Sequence, residues 1–231
     1  MDTQADASAT ARLLHRAGRW DQALAVLTPD AFAARAEILV DRHWWRLDEP
    51  EAAAEAVEAL LPRDPVLAGH LDAQLRYTRL LFDLSPLPDD QRQAHHGFRT
   101  ATADPRLAGW ATFWLGVFAD MIESDPASAA EAYRKALEHA HSQGDTLLES
   151  YAVRHLGDHL LKTDRDRGIA QLRRSYHLRA ALGARPQTAA AALTLAGELT
   201  PGAEADQLHE AAELTARELQ LTWLTAALRS S

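Results

Sequence analysis

The chain has 231 residues, 47% apolar but only 6% aromatic, and 24 Lys and Arg against 33 Asp and Glu give a formal net charge of −9. Such an acidic balance argues against general electrostatic binding to nucleic acid, which needs a dense basic surface. With no cysteine, the chain has no disulfide framework, no thiol nucleophile and no thiolate zinc site.

Met1 is followed by a polar stretch to Thr10 rather than by a basic and then apolar signal. No run approaches the roughly 18 uncharged apolar residues of a membrane-spanning helix. A cytoplasmic protein with no membrane partner is expected. Much of the apolar content is alanine, a strong helix former, and no β-branched run shows period two. The elements therefore read as helices throughout. Ala7–Ala17 and Trp20–Leu27 come first, separated by Gly18-Arg19. Asp30 is placed to cap a helix from Ala31 to Leu47, whose partner runs to Leu61. Pro62 and Pro65 close that unit. Val66–Leu84, a rigid turn at Ser85–Pro88, and Asp89–Thr100 follow. Next come Pro105–Glu123, Ala127–His141, Thr146–Lys162 and Gly168–Leu182. Gly183 is a C′ glycine and Pro186 a helix start. Thr188–Leu199 precedes a turn at Thr200–Gly202, and the remainder to Leu228 is one long or two short helices.

A triplet recurs along these segments. Ala53, Val57 and Leu60 are spaced by four and then three, as are Ala94, Phe98 and Ala101, then Ala129, Tyr133 and Ala136, then Gly168, Leu172 and Ser175. Ala23 and Leu27 form a weaker first copy. These offsets place each triplet on one helical face. Small residues at its ends let a neighbouring helix approach closely. Successive copies begin 30, 41, 35 and 39 residues apart (53−23, 94−53, 129−94, 168−129), a period that marks a helical repeat.

The residues also carry a family resemblance. Leu115-Gly116 and Leu156-Gly157 resemble the Leu-Gly pair of the tetratricopeptide repeat. Ala94-x3-Phe98 and Ala129-x3-Tyr133 resemble its second-helix signature, and Ala53 with Pro65 matches its alanine-to-proline distance. Gly168 stands where the family prefers alanine, and the 41-residue spacing around Ser85–Asp90 is long. The stretch Leu172–Gly183 is similar to the longer repeats of bacterial regulators in this superfamily. The resemblance implies an all-α, right-handed α-solenoid of about five to six antiparallel helix pairs. It spans residues 1–231 as a single domain with a C-terminal capping helix.

In that family the first helix of each pair lines the concave groove. Counting from Gly116 and Gly157, the resemblance turns Tyr151, Arg154, His155 and Asp158 inward, with Trp110, Phe113, Trp114, Val117 and Asp120 beside them. It also brings in Arg76, Arg79 and Asp83 from the third pair, and Arg35, Arg42, Arg46 and Trp45 from the second. Arg35, Arg42 and Arg46 share one helical face whatever the register. Guanidinium groups grip carboxylates in a bidentate way, and aromatic rings supply apolar contact at low entropic cost. The groove would then take a protein or peptide partner with an acidic group. The competing reading makes the arginines solvated helix faces and the tryptophans core.

His155 and His159 stand at the i, i+4 spacing of helical zinc sites. Leu156 replaces the glutamate a metalloprotease would need, and nothing points to Glu149 or His139 as a third ligand. No metal or other cofactor is expected. No phosphate loop, nucleophile elbow or dinucleotide fingerprint occurs, so no catalytic residue is named. Two further functions stay open. One is a small-molecule sensor or enzyme with its site around His155, Asp158 and Trp114. The other is homodimerisation through Leu219–Leu228 with Trp223. A closed pocket around Trp114 and His155 favours the first, an open channel favours peptide binding, and an apolar outer stripe on the last helix favours assembly.

Overall fold

A computed structural model describes residues 3–229, with side chains from residue 6 onward; Met1, Asp2 and the last two serines lie outside the described residues. Among the described residues there are thirteen helices and no strand. They are α1 (Thr3–Arg16), α2 (Trp20–Val26), α3 (Phe32–Arg46), α4 (Pro50–Leu60), α5 (Pro65–Leu81), α6 (Asp90–Ala101) and α7 (Ala108–Met121). Then come α8 (Pro126–Gln143), α9 (Thr146–Leu161), α10 (Arg165–Ala181), α11 (Arg185–Glu198), α12 (Ala203–Leu219) and α13 (Thr222–Leu228).

Each helix packs on the next along the whole series, most tightly within the pairs α5–α6, α7–α8, α9–α10 and α11–α12. Short polar turns make this arrangement local. Asp64, Asp125, Asp145 and Asp164 accept backbone N–H bonds at the starts of α5, α8, α9 and α10, satisfying donors that a helix start leaves orphaned. Asp30 does not cap α3. That cap is Ala31, with no side-chain bond, because the chain turns one residue later than the sequence pattern places it. Gly183 follows the last residue of α10's cap at φ +67, the left-handed geometry that favours glycine.

The recurring triplets are the buried faces of the even-numbered helices. Ala53, Val57 and Leu60 are buried in α4, Ala94, Phe98 and Ala101 in α6, and Ala129, Tyr133 and Ala136 in α8. Gly168, Leu172 and Ser175 are buried in α10, and the stripe continues to Arg179. Close approach follows from the small residues. A Cβ added at Gly116 of α7 would lie 2.8 Å from the Tyr133 ring of α8. Enlarging Ala129 or Ala136, both fully buried, to Leu is therefore expected to overpack the seam and cost about 1–3 kcal/mol. The same change at exposed Ala127 should stay within about 0.5 kcal/mol. Urea denaturation of the three variants checks this, and equal tolerance at all three sites would refute the packing assignment.

The two ends of the stack meet. Helix α13 packs against α3, and one apolar cluster joins Trp20, Ile38 and Trp45 to Ala189, Ala216, Leu219, Leu221 and Leu224. Polar bonds reinforce the seam. Arg46 Nε donates to the Leu219 carbonyl at 3.2 Å, and Glu218 accepts from both Arg19 and Arg185. A Cβ at Gly18, in the turn after α1, would sit 2.7 Å from the Leu219 side chain. The last short helix, α13, thereby reaches α3 of the second pair. The last helix turns its apolar side inward rather than outward. Trp223 stacks on Trp45 at 5.3 Å between ring centres, and Leu224 is buried.

Candidate functional site

The closed stack surrounds a half-enclosed cavity of about 540 Å³. Six of its seven walls are odd-numbered helices. Trp44 and Trp45 come from α3, Tyr77 and Leu81 from α5, and Phe113, Trp114, Val117 and Asp120 from α7. Tyr151, Arg154, His155 and Asp158 come from α9, Ala190, Leu193 and Thr194 from α11, and Trp223, Leu224 and Ala227 from α13. The seventh wall is a single side chain, Arg179 of α10.

Aromatic rings form a continuous lining. Trp44 stacks on Tyr77 at 6.0 Å and meets Phe82 and Trp114 edge-on at 5.4 and 5.7 Å. Trp114 lies parallel to Phe98 at 5.7 Å, and Phe113 meets Tyr151 and His155 edge-on. Each contact fixes a ring that has few rotamers to lose, so the wall is preorganised. Two polar atoms of lining residues are buried without a hydrogen-bond partner among the described residues: the Tyr77 hydroxyl and the Trp223 indole N–H. Burial raises the Tyr77 hydroxyl far above its ordinary value, so it stays protonated and able to donate.

The charged groups sit on one side. Arg154 Nη1 and Asp158 Oδ2 pair at 2.8 Å, one turn apart on α9. Burial raises the Asp158 carboxyl above its usual range although Arg154 opposes the shift. Asp120 accepts from Tyr133 Oη at 3.2 Å and contacts His159 Nε2 at 3.0 Å. His155 stacks on Tyr133 at 4.7 Å between ring centres. Burial first, and then the charges of Arg154 and Arg179, push its pKa well below the ordinary value, so the imidazole is neutral at pH 7. Gly116 lets the Tyr133 ring come close enough to carry that stack.

Arg179 is 3% exposed. Nε donates to Ser150 Oγ at 3.2 Å and Nη1 to the Gln187 carbonyl at 3.0 Å, while the guanidinium lies over the Tyr151 ring at 4.3 Å. No carboxylate lies within 4 Å of it among the described residues. Burial lowers its pKa to about 10, which leaves it charged at pH 7. Burial likewise raises the Tyr151 hydroxyl to about 12.

Of the sixteen residues expected in the groove, Trp45, Phe113, Trp114, Val117, Asp120, Tyr151, Arg154, His155 and Asp158 line the cavity. Seven, Asp83 among them, do not. Trp110 turns its indole to Asp145, donating at 2.8 Å to the carboxylate that caps α9, and packs edge-on against Tyr151. Arg42 is held by Asp21 and Glu49 at the seam between α2 and α3. Arg46 lies over the Trp20 ring at 5.1 Å, in the closing seam. Arg76 and Arg79 are drawn to Asp90, whose side chain is fully buried at the start of α6. Arg35, a half-buried residue in the first turn of α3, lies outside the cavity. Acids nearby draw four of these arginines into ion pairs, which are packed seams and not the solvated helix faces of the competing reading.

The sequence reading passed over Arg179, as it did Trp44, Tyr77 and Phe82 of the aromatic wall. The signal of Arg179 was present. The α10 stripe of 168, 172 and 175 reaches 179 next, where the matching α8 stripe has buried Ala140. A guanidinium in a row of small residues marks a buried charge.

His155 stacks on Tyr133, His159 meets the same ring edge-on and is bonded to Asp120, and Glu149 pairs with Arg174 instead of approaching them. Among the described residues no group of three or more His, Asp or Glu is placed to hold a metal ion. No described helix is long and apolar enough to cross a membrane. A broader surface depression lies between α6 and α7. It is lined by Asp89, Arg92, His95, His96 and Arg99 with Phe118 at its floor, and its open, charged walls suit solvent. No protein-family model, curated protein or solved structure matches this chain.

Proposed function

We propose that the protein is a tetratricopeptide-like helical-repeat receptor that holds one small, largely aromatic or apolar molecule inside the ring. The right-handed repeat reading rests on the small-residue stripes of the second helices and on the way the first helices turn their other face to the cavity. The observation that carries the functional reading is that six odd-numbered helices, α3 to α13, contribute to one cavity of about 540 Å³. That volume falls within the roughly 300–1,000 Å³ of small-molecule sites, and so does its mix of aromatic wall and a few convergent polar groups. A peptide-binding reading needs a groove open along its length. Here the last helix packs on α3 instead.

The aromatic wall and its few polar groups support binding as the proposed role. Capture by a sensor then needs only that the ligand favours one state of the ring over another.

Native mass spectrometry of protein purified from its natural host tests this reading. The expected result is a bound species of small-molecule mass that is released on denaturation. Binding should also change tryptophan emission, since Trp44, Trp45, Trp114 and Trp223 all line the cavity. Trp114→Ala should abolish retention while the protein stays folded by circular dichroism. A retained peptide, or retention unchanged in Trp114→Ala, would overturn the reading.

A further inference from the structure

We infer that the ligand carries a carboxylate and that Arg179 is the group that binds it. This rests on the reading of the cavity as a small-molecule site and specifies what that molecule must contain.

The argument begins with the cost of burying charge. A guanidinium removed from water needs either an opposite charge or a full set of acceptors. Arg179 is 3% exposed and has neither. Its two hydrogen bonds go to neutral oxygens, the Ser150 hydroxyl and the Gln187 carbonyl. Nη2 makes no hydrogen bond among the described residues, and the side chain belongs to the cavity wall.

The other charges of the wall are already matched. Asp158 is taken by Arg154 at 2.8 Å, and Asp120 by Tyr133 and His159. His155 is neutral. The cavity therefore keeps one cation, Arg179, that has no carboxylate within 4 Å among the described residues and feels Asp158 only at longer range. Arg154 stands near enough to disfavour the charge on Arg179, and a bound anion would offset that.

The side chain is also held in place. Ser150 itself donates to Leu147 and accepts from Arg179, while Ser175 Oγ donates to the Ser150 carbonyl at 2.7 Å. The Tyr151 ring supports the guanidinium from one face. An arginine fixed this way keeps its planar edge ready for the two oxygens of a carboxylate. The rest of the wall is aromatic, so the carboxylate belongs on a flat, apolar body.

The test uses matched probes. Naphthalene-1-acetate and indole-3-acetate are each compared with their primary amides by isothermal titration against the full chain. The amides keep shape and ring surface and lose only the charge. The acids should bind about tenfold or more tighter than their amides, the range expected for a hydrogen bond to a charged group. That preference should vanish in Arg179→Gln and survive in Arg154→Gln. Because Arg179→Gln also loses two internal bonds, the wild-type comparison of acid with amide stands as a readout that needs no variant. Acids and amides that bind equally would overturn the inference and leave the cavity reading intact. A preference that survives in Arg179→Gln and is lost in Arg154→Gln would also overturn it, by moving the anion site to α9. Failure of all four probes would overturn both readings for aromatic ligands.

Discussion

Replacing Arg79 by methionine is expected to cost about 3–5 kcal/mol of folding stability, the range for removing one partner of a buried ion pair. Arg79 grips the Asp90 carboxylate with two nitrogens, Nε at 2.9 Å and Nη2 at 2.6 Å. Arg76 contributes one bond at 3.2 Å and has a second acid, Asp72, at 2.6 Å. The Asp90 side chain is fully buried, while both arginines keep some exposure. Loss of Arg79 thus strands a buried carboxylate on a single weak partner and the Leu87 N–H. Arg76→Met should cost less, since the bidentate pair remains. Chemical denaturation of both variants gives the order. An equal cost at the two positions would mean that Asp90 is held by the pair as a unit.

The same carboxylate sets a pH dependence. Burial alone would raise the Asp90 pKa, but the Arg79 bonds, the Leu87 N–H and the charges of Arg79 and Arg76 outweigh it and hold the pKa below the usual carboxylate range. A group whose folded pKa lies below its unfolded one stabilises the fold above the unfolded value, near 3.9 for aspartate, and that contribution disappears as pH falls through the folded value. The difference in stability between the wild type and Arg79→Met should therefore be largest near pH 7 and narrow on acidification below about pH 4. A difference that stays constant down to acid pH would remove Asp90 from the explanation.

How much of this could be read from the chain differs between the local and the closed parts of the structure. The triplets of α4, α6, α8 and α10 are written in the sequence because a buried helix face repeats every three or four residues, and alanine or glycine there has few other reasons to recur. The inward side of α9 was legible for a related reason. Gly157 must face α10, where an added Cβ would meet Gln171 at 3.0 Å, and this turns Arg154, His155 and Asp158 the other way. For the third pair the same count failed. Arg76 and Arg79 do share a face, but the residue that claims them is Asp90, eleven positions beyond Arg79 across a turn, and burial of a lone aspartate leaves no periodic trace. The side of the last helix that Trp223 occupies stays open in the sequence, because a seven-residue helix carries too little pattern to tell its two sides apart. The closing of the ring joins Trp20 and Trp45 to residues near 220, and contacts so distant along the chain depend on the summed geometry of every pair between them.

That closing seam should also be the weakest part of the ring. Helix α13 has seven residues, well short of the roughly 12–15 at which an isolated helix becomes even marginal. It persists only through what it packs against: Leu224 in the apolar cluster and the Trp45–Trp223 stack. Removing one of these contacts should release α13 before anything else. Leu224→Ala is expected to cost about 2–5 kcal/mol locally, as for other buried leucines, and to raise amide exchange across α13. Helices α7 to α10 should keep their protection, since the buried clusters of Phe113, Tyr133, Ala136 and Leu148 and of Leu172 do not include Leu224 and opening can be sub-global. At exposed Leu214, 64% accessible on α12, the same truncation should change neither exchange nor stability by more than about 0.5 kcal/mol. Hydrogen exchange read by mass spectrometry separates the outcomes. If Leu224→Ala loosens α7 to α10 as much as α13, the ring opens as one cooperative body and the seam is no weaker than its wall. If only α13 loosens, the cavity is closed by the least stable helix of the ring, and access to Arg179 and the aromatic wall is set by how often that helix lets go.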